Sequence, residues 1–291
     1  MDRPAHEHYM VLLGALLDTA PPEFTQLSIT GGEPTESPYL DWLLGKIDKK
    51  RWSKVVLTTA RTPKITRSWK AIDHVNFSRN AIDDADNDEI MGDKMPSLYD
   101  LTMFCFELNK CGIDVTLSRV VRPEWNNTTG IPFYVDMAKK CYASAVCIRK
   151  ESTEHGDMSP TPTELRFSNY KTVSSSSCPV CRSNTILFRG IPLAWKASAW
   201  DPGDELSEVY ELVFHPDGVL SLDWAAKKPV KIKDGEIVEM PDSLIERLLI
   251  ALERIEEKLD GNDPKPKKKA PKKQTVSESS GSCHGGYGGG C

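Results

Sequence analysis

Over the first 150 residues, short apolar runs alternate with amphipathic stretches at regular intervals. Residues 26–30 read as a strand and 38–49 as a helix. Residues 54–59 are the next strand, followed by a helix over 63–71 and a third strand over 74–79. An acidic loop, 83–93, leads into a helix over 97–111. There Ser97 is placed as the cap, Leu101, Phe104, Cys105 and Leu108 share one face, and Gly112 ends the helix. A strand over 114–121, a helix over 132–142 and a strand over 145–149 complete the series, and residues 5–18 read as a helix ahead of it. Apolar strands separated by amphipathic helices predict a parallel sheet with helical crossovers. A partial barrel and an open doubly wound sheet leave the same local pattern.

The pattern changes after residue 150. Residues 155–162 read as linker. Two apolar runs, 209–215 and 219–224, meet at Pro216-Asp217-Gly218, which predicts a hairpin, and 242–259 has the spacing of an amphipathic helix. The expectation is a small α+β extension over 151–260. Residues 261–291, rich in lysine and proline and then in glycine, cannot build a core and read as a disordered tail.

The 291 residues are 39% hydrophobic, enough for a substantial core, and carry a formal charge of −5. The tail holds six lysines and two acids, a net of +4, which leaves −9 on the body. An acidic body with a short basic tail is not the pattern of a nucleic-acid-binding domain. No apolar run approaches the roughly 20 residues of a membrane span, and the first apolar run lacks the basic leader of a signal peptide. Eight cysteines scattered through ordinary segments suggest reduced thiols in the cytoplasm.

The most specific chemistry lies in Leu27-Ser28-Ile29-Thr30-Gly31-Gly32-Glu33-Pro34-Thr35. A strand ends in two glycines, which let a backbone approach a ligand closely, and in a carboxylate at the edge where α/β folds bind ligands. This string resembles the second-strand motif of the radical S-adenosylmethionine (radical SAM) enzymes. The resemblance implies that Gly31, Gly32 and Glu33 receive the amino group of the methionine part of SAM. It places Ser78 near the SAM ribose and makes Arg119, with Asn126 and Asn127 after it, a source of further polar contacts. The implied fold is a partial (β/α)6 TIM-like barrel over residues 1–150. The implied activity is iron–sulfur-dependent splitting of SAM to a radical that takes hydrogen from a substrate.

The family holds its [4Fe–4S] cluster on a C-x3-C-x2-C loop after the first strand, and in this chain the first cysteine is Cys105. The expectation is a barrel lacking its first strand and the cluster cysteines, in a truncated or degenerate chain. The alternative to an enzyme is a cluster-less relic, or a module that binds SAM or a partner without catalysis. The Gly/Cys tail suggests a peptide substrate. Cys178 and Cys181 form a C-x2-C pair, half of a metal site that Cys283 and Cys291 would complete, with His284 nearby, for an auxiliary iron–sulfur cluster or zinc. Cys105, Cys111, Cys141 and Cys147 are expected as buried small hydrophobes, and His74 and His215 in structural roles.

Overall fold

The computed structural model describes residues 24–121, 130–150, 170–175, 184–196, 213–214 and 220–221, with scattered positions between 10 and 22. Its strands are β1 (Gln26–Ile29), β2 (Lys54–Thr59), β3 (His74–Ser78), β4 (Asp114–Val121), β5 (Ala145–Lys150), β6 (Thr172–Ser175), β7 (Asn184–Phe188) and β8 (Ile191–Lys196). Its helices are α1 (Leu40–Lys46), α2 (Asp84–Met91), α3 (Leu98–Lys110) and α4 (Gly130–Lys140), with short 3-10 turns at Pro34–Glu36 and Arg67–Ala71. β1 to β5 pair in parallel in chain order, and β8 continues the parallel series beside β5. β7 and β6 then join antiparallel, giving one eight-stranded sheet in the order β1-β2-β3-β4-β5-β8-β7-β6. The sheet does not close. It is a partial TIM-like α/β fold dominated by parallel pairing.

Pairing register explains where the core sits. Alternate residues of a strand face opposite sides of a sheet. Leu27, Val55 and Ile29, Leu57 are paired across β1 and β2, and the same row continues through Val75, Val115 and, one step on, Phe77, Leu117, Val146 and Leu193. Val55, Leu57, Val75, Val115, Leu117, Val146 and Leu193 are wholly excluded from solvent. They form one cluster with Leu44 of α1, Leu101, Phe104 and Leu108 of α3, and Val135 and Ala138 of α4. Phe104 sits edge-on to Trp69 at 5.9 Å between ring centroids and tilted against Phe77 at 6.2 Å. Parallel strands covered by helices on one side thus account for the continuous apolar runs in the sequence.

The helix over 97–111 forms as its sequence predicts. Ser97 and Asp100 make a reciprocal capping box, and Gly112 follows with φ of 74°. Two expectations are corrected. The acidic stretch 83–93 is not a loop but contains α2, because the Asp83 carboxylate accepts from the backbone N–H groups of Ala85 and Asp86 and Gly92 ends the helix in the left-handed conformation. Its low apolar content hid it. The helix over 63–71 shrinks to the 3-10 turn Arg67–Ala71, since Pro63 and the β-branched pair Ile65-Thr66 hold the preceding chain extended.

Three strands went unread in the sequence. β7 and β8 are joined by the two-residue turn Arg189-Gly190, both with positive φ (49° and 86°), and Pro192 in β8 masks its strand character. Of the hairpin over 209–224, the described part is Val213–Phe214 paired antiparallel with Leu220–Ser221. Of the helix over 5–18, Met10, Leu13, Gly14 and Leu16 to Asp18 are helical, and Leu17 is buried. Asn126, Asn127, His215, Cys178, Cys181, Cys283, His284, Cys291, the helix over 242–259 and the tail lie outside the described residues. No helix among the described residues is long and apolar enough to cross a membrane.

Candidate functional site

Past the end of β1, Gly31 and Gly32 both take positive φ, 92° and 51°. Only glycine does this without strain. A side chain at either position would meet nothing within 4 Å among the described residues, so the glycines serve the path of the chain rather than a close approach. The next residue, Glu33, caps the 3-10 turn that starts at Pro34.

The Glu33 carboxylate is held from four sides. Oε1 accepts from Thr35 N (3.0 Å), Thr35 Oγ1 (2.6 Å) and Thr59 Oγ1 (2.6 Å), and Oε2 accepts from Ala60 N (2.8 Å). Thr59 is the last residue of β2, so this acid ties together the carboxyl ends of β1 and β2. Burial works to raise its pKa, but the bonds from Thr35, Thr59 and Ala60 outweigh it and hold the carboxyl below its ordinary value of 4.5. Glu33 is therefore an anion at neutral pH, and Oε2, with one bond among the described residues, retains a lone pair for a cationic donor. Arg61 fastens the rim: Nε donates to Glu36 Oε1 (3.2 Å), Nη1 to Lys94 O (2.6 Å), and Nη2 pairs with Asp93.

Thr59 pairs by register with buried Phe77 in the helix-side row, and the opposite sheet face begins one residue earlier, at Thr58. By register, Thr58, Asn76 and Thr116 form one row across β2, β3 and β4, and Ser78, Ser118 and Cys147 form the next across β3, β4 and β5. Across β2 to β4 this face carries short polar side chains suited to hydrogen-bonding a polar ligand, interrupted by Val56 and Val120, and toward β5 and β8 it carries Ala145, Arg149, Ala194 and Lys196. At its amino end His74 is pushed below its ordinary pKa, by burial first and then by the charge of Lys54, with Lys196 of β8 adding to the effect.

The fold thus brings Gly31, Gly32, Glu33 and Ser78 to one carboxyl edge, with Ser78 on the polar face opposite Ser118. Arg119 goes elsewhere. It pairs by register with buried Ile148, on the helix side, and its guanidinium lies 5.5 Å over the ring of Tyr134 from α4. The residues that complete the Glu33 clasp, Thr35, Thr59 and Ala60, were missed in the sequence. The doublet Thr58-Thr59 at a strand end, one residue for each face, was the available signal.

The described thiols do not fit an iron–sulfur cluster. Cys105, Cys141 and Cys147 are buried on separate elements, and Cys105 is pushed up to about 12 by burial, with Cys141 nearby adding to it. Cys111 is exposed, correcting the expectation of burial, because it lies beyond the apolar stripe of α3 where the helix unwinds. Among the described residues no group of three or more His, Cys, Asp or Glu is arranged to hold a metal ion.

No protein-family model matches the chain, and no curated protein matches it in sequence. Among solved structures it is similar to Streptococcus suis SuiB bound to precursor peptide SuiA, at 20% identity over 43% of this chain and 28% of that one, with a TM-score of 0.34. SuiB bound to S-adenosylmethionine matches at 19% identity over 52% of this chain and 34% of that one, with a TM-score of 0.36. A type I 3-dehydroquinate dehydratase from Clostridium difficile matches at 10% identity over 48% of this chain and 57% of its own, with a TM-score of 0.31. The chain spans about a third of the length of SuiB or less. Likenesses this low carry no argument about function.

Proposed function

We propose that this chain binds S-adenosylmethionine at the carboxyl edge of its parallel strands, as a radical SAM-like protein acting on a peptide. The observation that carries the reading is the Glu33 carboxylate, fixed as an anion beside two glycines of positive φ at the carboxyl ends of β1 and β2. In this reading Glu33 Oε2 and the backbone of Gly31-Gly32 receive the methionyl ammonium, and Ser78, with Ser118 beside it, meets the ribose hydroxyls. Fixing the acid before the ligand arrives spares the cost of ordering it on binding. Bound SAM, in the family this chain resembles, supplies hydrogen-atom abstraction when an electron is delivered to it. The chain's own part is to bind, orient and shield the ligand. The glycine- and cysteine-rich residues 282–291 support a peptide as the substrate class, as a tethered modifiable segment.

No step is assigned to a [4Fe–4S] cluster, because the described thiols do not fit one. The second reading is a SAM- or partner-binding module without catalysis. An auxiliary metal on Cys178, Cys181, Cys283 and Cys291 belongs to the first reading. Anaerobic reconstitution with iron and sulfide separates the two: broad visible absorption that Cys178→Ala abolishes supports the first, and no absorption supports the second.

Calorimetric titration with SAM tests the shared core of both. The wild type is expected to bind, and Glu33→Gln to bind about tenfold or more weakly, the loss of one charge-assisted hydrogen bond. An absence of binding by the wild type, or equal affinity of the two, overturns the assignment.

A further inference from the structure

Two arginines follow serines at the carboxyl ends of neighbouring strands, and the fold treats them differently. Arg79, after Ser78, is 1% exposed, and its guanidinium is met by Pro96 O (3.2 Å), Ile82 O (2.9 Å) and Asp84 Oδ1 (2.6 Å). Arg119, after Ser118, is half-buried and lies on the helix side of the sheet. Among the described residues it has no hydrogen-bond acceptor and no carboxylate partner. Its Nε is buried and unbonded, as is the Nε of Arg79, but Arg79 has three acceptors on its other nitrogens and Arg119 has none among the described residues. Among the described residues its guanidinium lies over the face of the Tyr134 ring, 5.5 Å away, and the Tyr134 hydroxyl is already spent on Arg79 O at 2.7 Å.

Such an arrangement is costly unless something answers it. A half-buried cation keeps only part of its hydration and gains from a counter-charge or acceptors. The position makes matters worse, because α4 starts at Gly130 against the same guanidinium, and the start of a helix repels a cation. A side chain at 130 would meet Arg119 Nη1 at 3.4 Å, so glycine there keeps the flank of the guanidinium clear. One unmatched cation asks for one negative charge, and a carboxylate supplies it with two oxygens that match the planar guanidinium.

We propose that Arg119, stacked on Tyr134 and flanked by Gly130, is the receptor for a carboxylate carried by a second ligand, distinct from the nucleotide at Glu33 and Ser78. The separation follows from the pleat: Ser118 faces the polar side of the sheet and Arg119 the helix side. The site stands whether or not SAM binds.

The test uses the full chain with acetate as probe against chloride at matched ionic strength. Acetate is expected to raise the melting temperature of the wild type by about 2–4 °C and to shift the Arg119 Nε–H resonance. Arg119→Met is expected to melt higher than the wild type in chloride, since it deletes an unanswered charge, and to gain nothing from acetate. Phosphate is expected to be the weaker probe. An Nε–H resonance indifferent to acetate overturns the proposal, as does an Arg119→Met chain that melts lower in chloride, fails to fold, or still responds to acetate. SAM and its decarboxylated analogue are expected to bind Arg119→Met as they bind the wild type. If SAM alone weakens, the carboxylate is that of the methionyl group and the second ligand is ruled out.

Discussion

The two faces of the sheet divide the work of this protein between adjacent residues. On the helix side, Val55, Leu57, Val75, Val115 and Leu117 are wholly buried and hold the helices. On the other side, one residue away along each strand, Thr58, Asn76, Ser78, Thr116 and Ser118 offer hydroxyls and an amide. The first face supplies stability through apolar burial, at roughly 25 cal/mol per Å². The second buries Thr116 and Ser118 as well but leaves Thr58, Asn76 and Ser78 partly exposed, where polar groups can meet a ligand. A period-two pleat thus lets one strand hold the fold and line a site at once.

The comparison breaks most visibly under truncation. Leu117→Ala is expected to cost about 2–5 kcal/mol in urea unfolding, whereas Thr116→Ala, its smaller buried neighbour on the polar face, is expected to cost about 1 kcal/mol. Equal losses would mean that the polar face is packed like a core. A smaller effect sharpens the helix side. Tyr134→Phe removes the hydrogen bond to Arg79 O and is expected to cost about 1 kcal/mol.

Acid separates the faces further. Because the folded pKa of Glu33 lies below 4.5, the unfolded chain binds the proton more readily, so the acid's contribution is complete above that value and is lost as pH falls through the folded pKa. The wild type should therefore lose more stability than Glu33→Gln on acidification below about pH 4.5. Parallel acid profiles would show that the clasp does not stabilise the ionised form. The smallest effect is chemical. Cys105, raised to about 12 and buried, should resist alkylation at neutral pH while exposed Cys111 reacts, as read by mass spectrometry of modified peptides.

How much of this was legible follows from the range of each interaction. The first five strands of the parallel series, the capped helix at Ser97 and the Gly31-Gly32-Glu33 turn announce themselves through local pattern. The Glu33 clasp does not, because Thr59 is 26 residues away and only pairing of β1 with β2 brings it near. The α2 helix was hidden because its stability lies in caps rather than in an apolar stripe. Residues 184–196 were hidden by Pro192 and by a turn of Arg and Gly instead of the commoner Asn-Gly. Motif position put Arg119 with the nucleotide contacts, whereas strand alternation puts it on the other side of the sheet from Ser118.

The central claim is that SAM sits on the carboxyl edge beside Glu33 and spreads over the polar face. Amide chemical-shift mapping during titration with SAM tests it most directly. The account predicts shifts at Gly31, Gly32, Thr35, Ala60 and Ser78, with Val115 and Leu117 on the helix side unmoved. An unchanged spectrum, or shifts confined to the helix side, would contradict it.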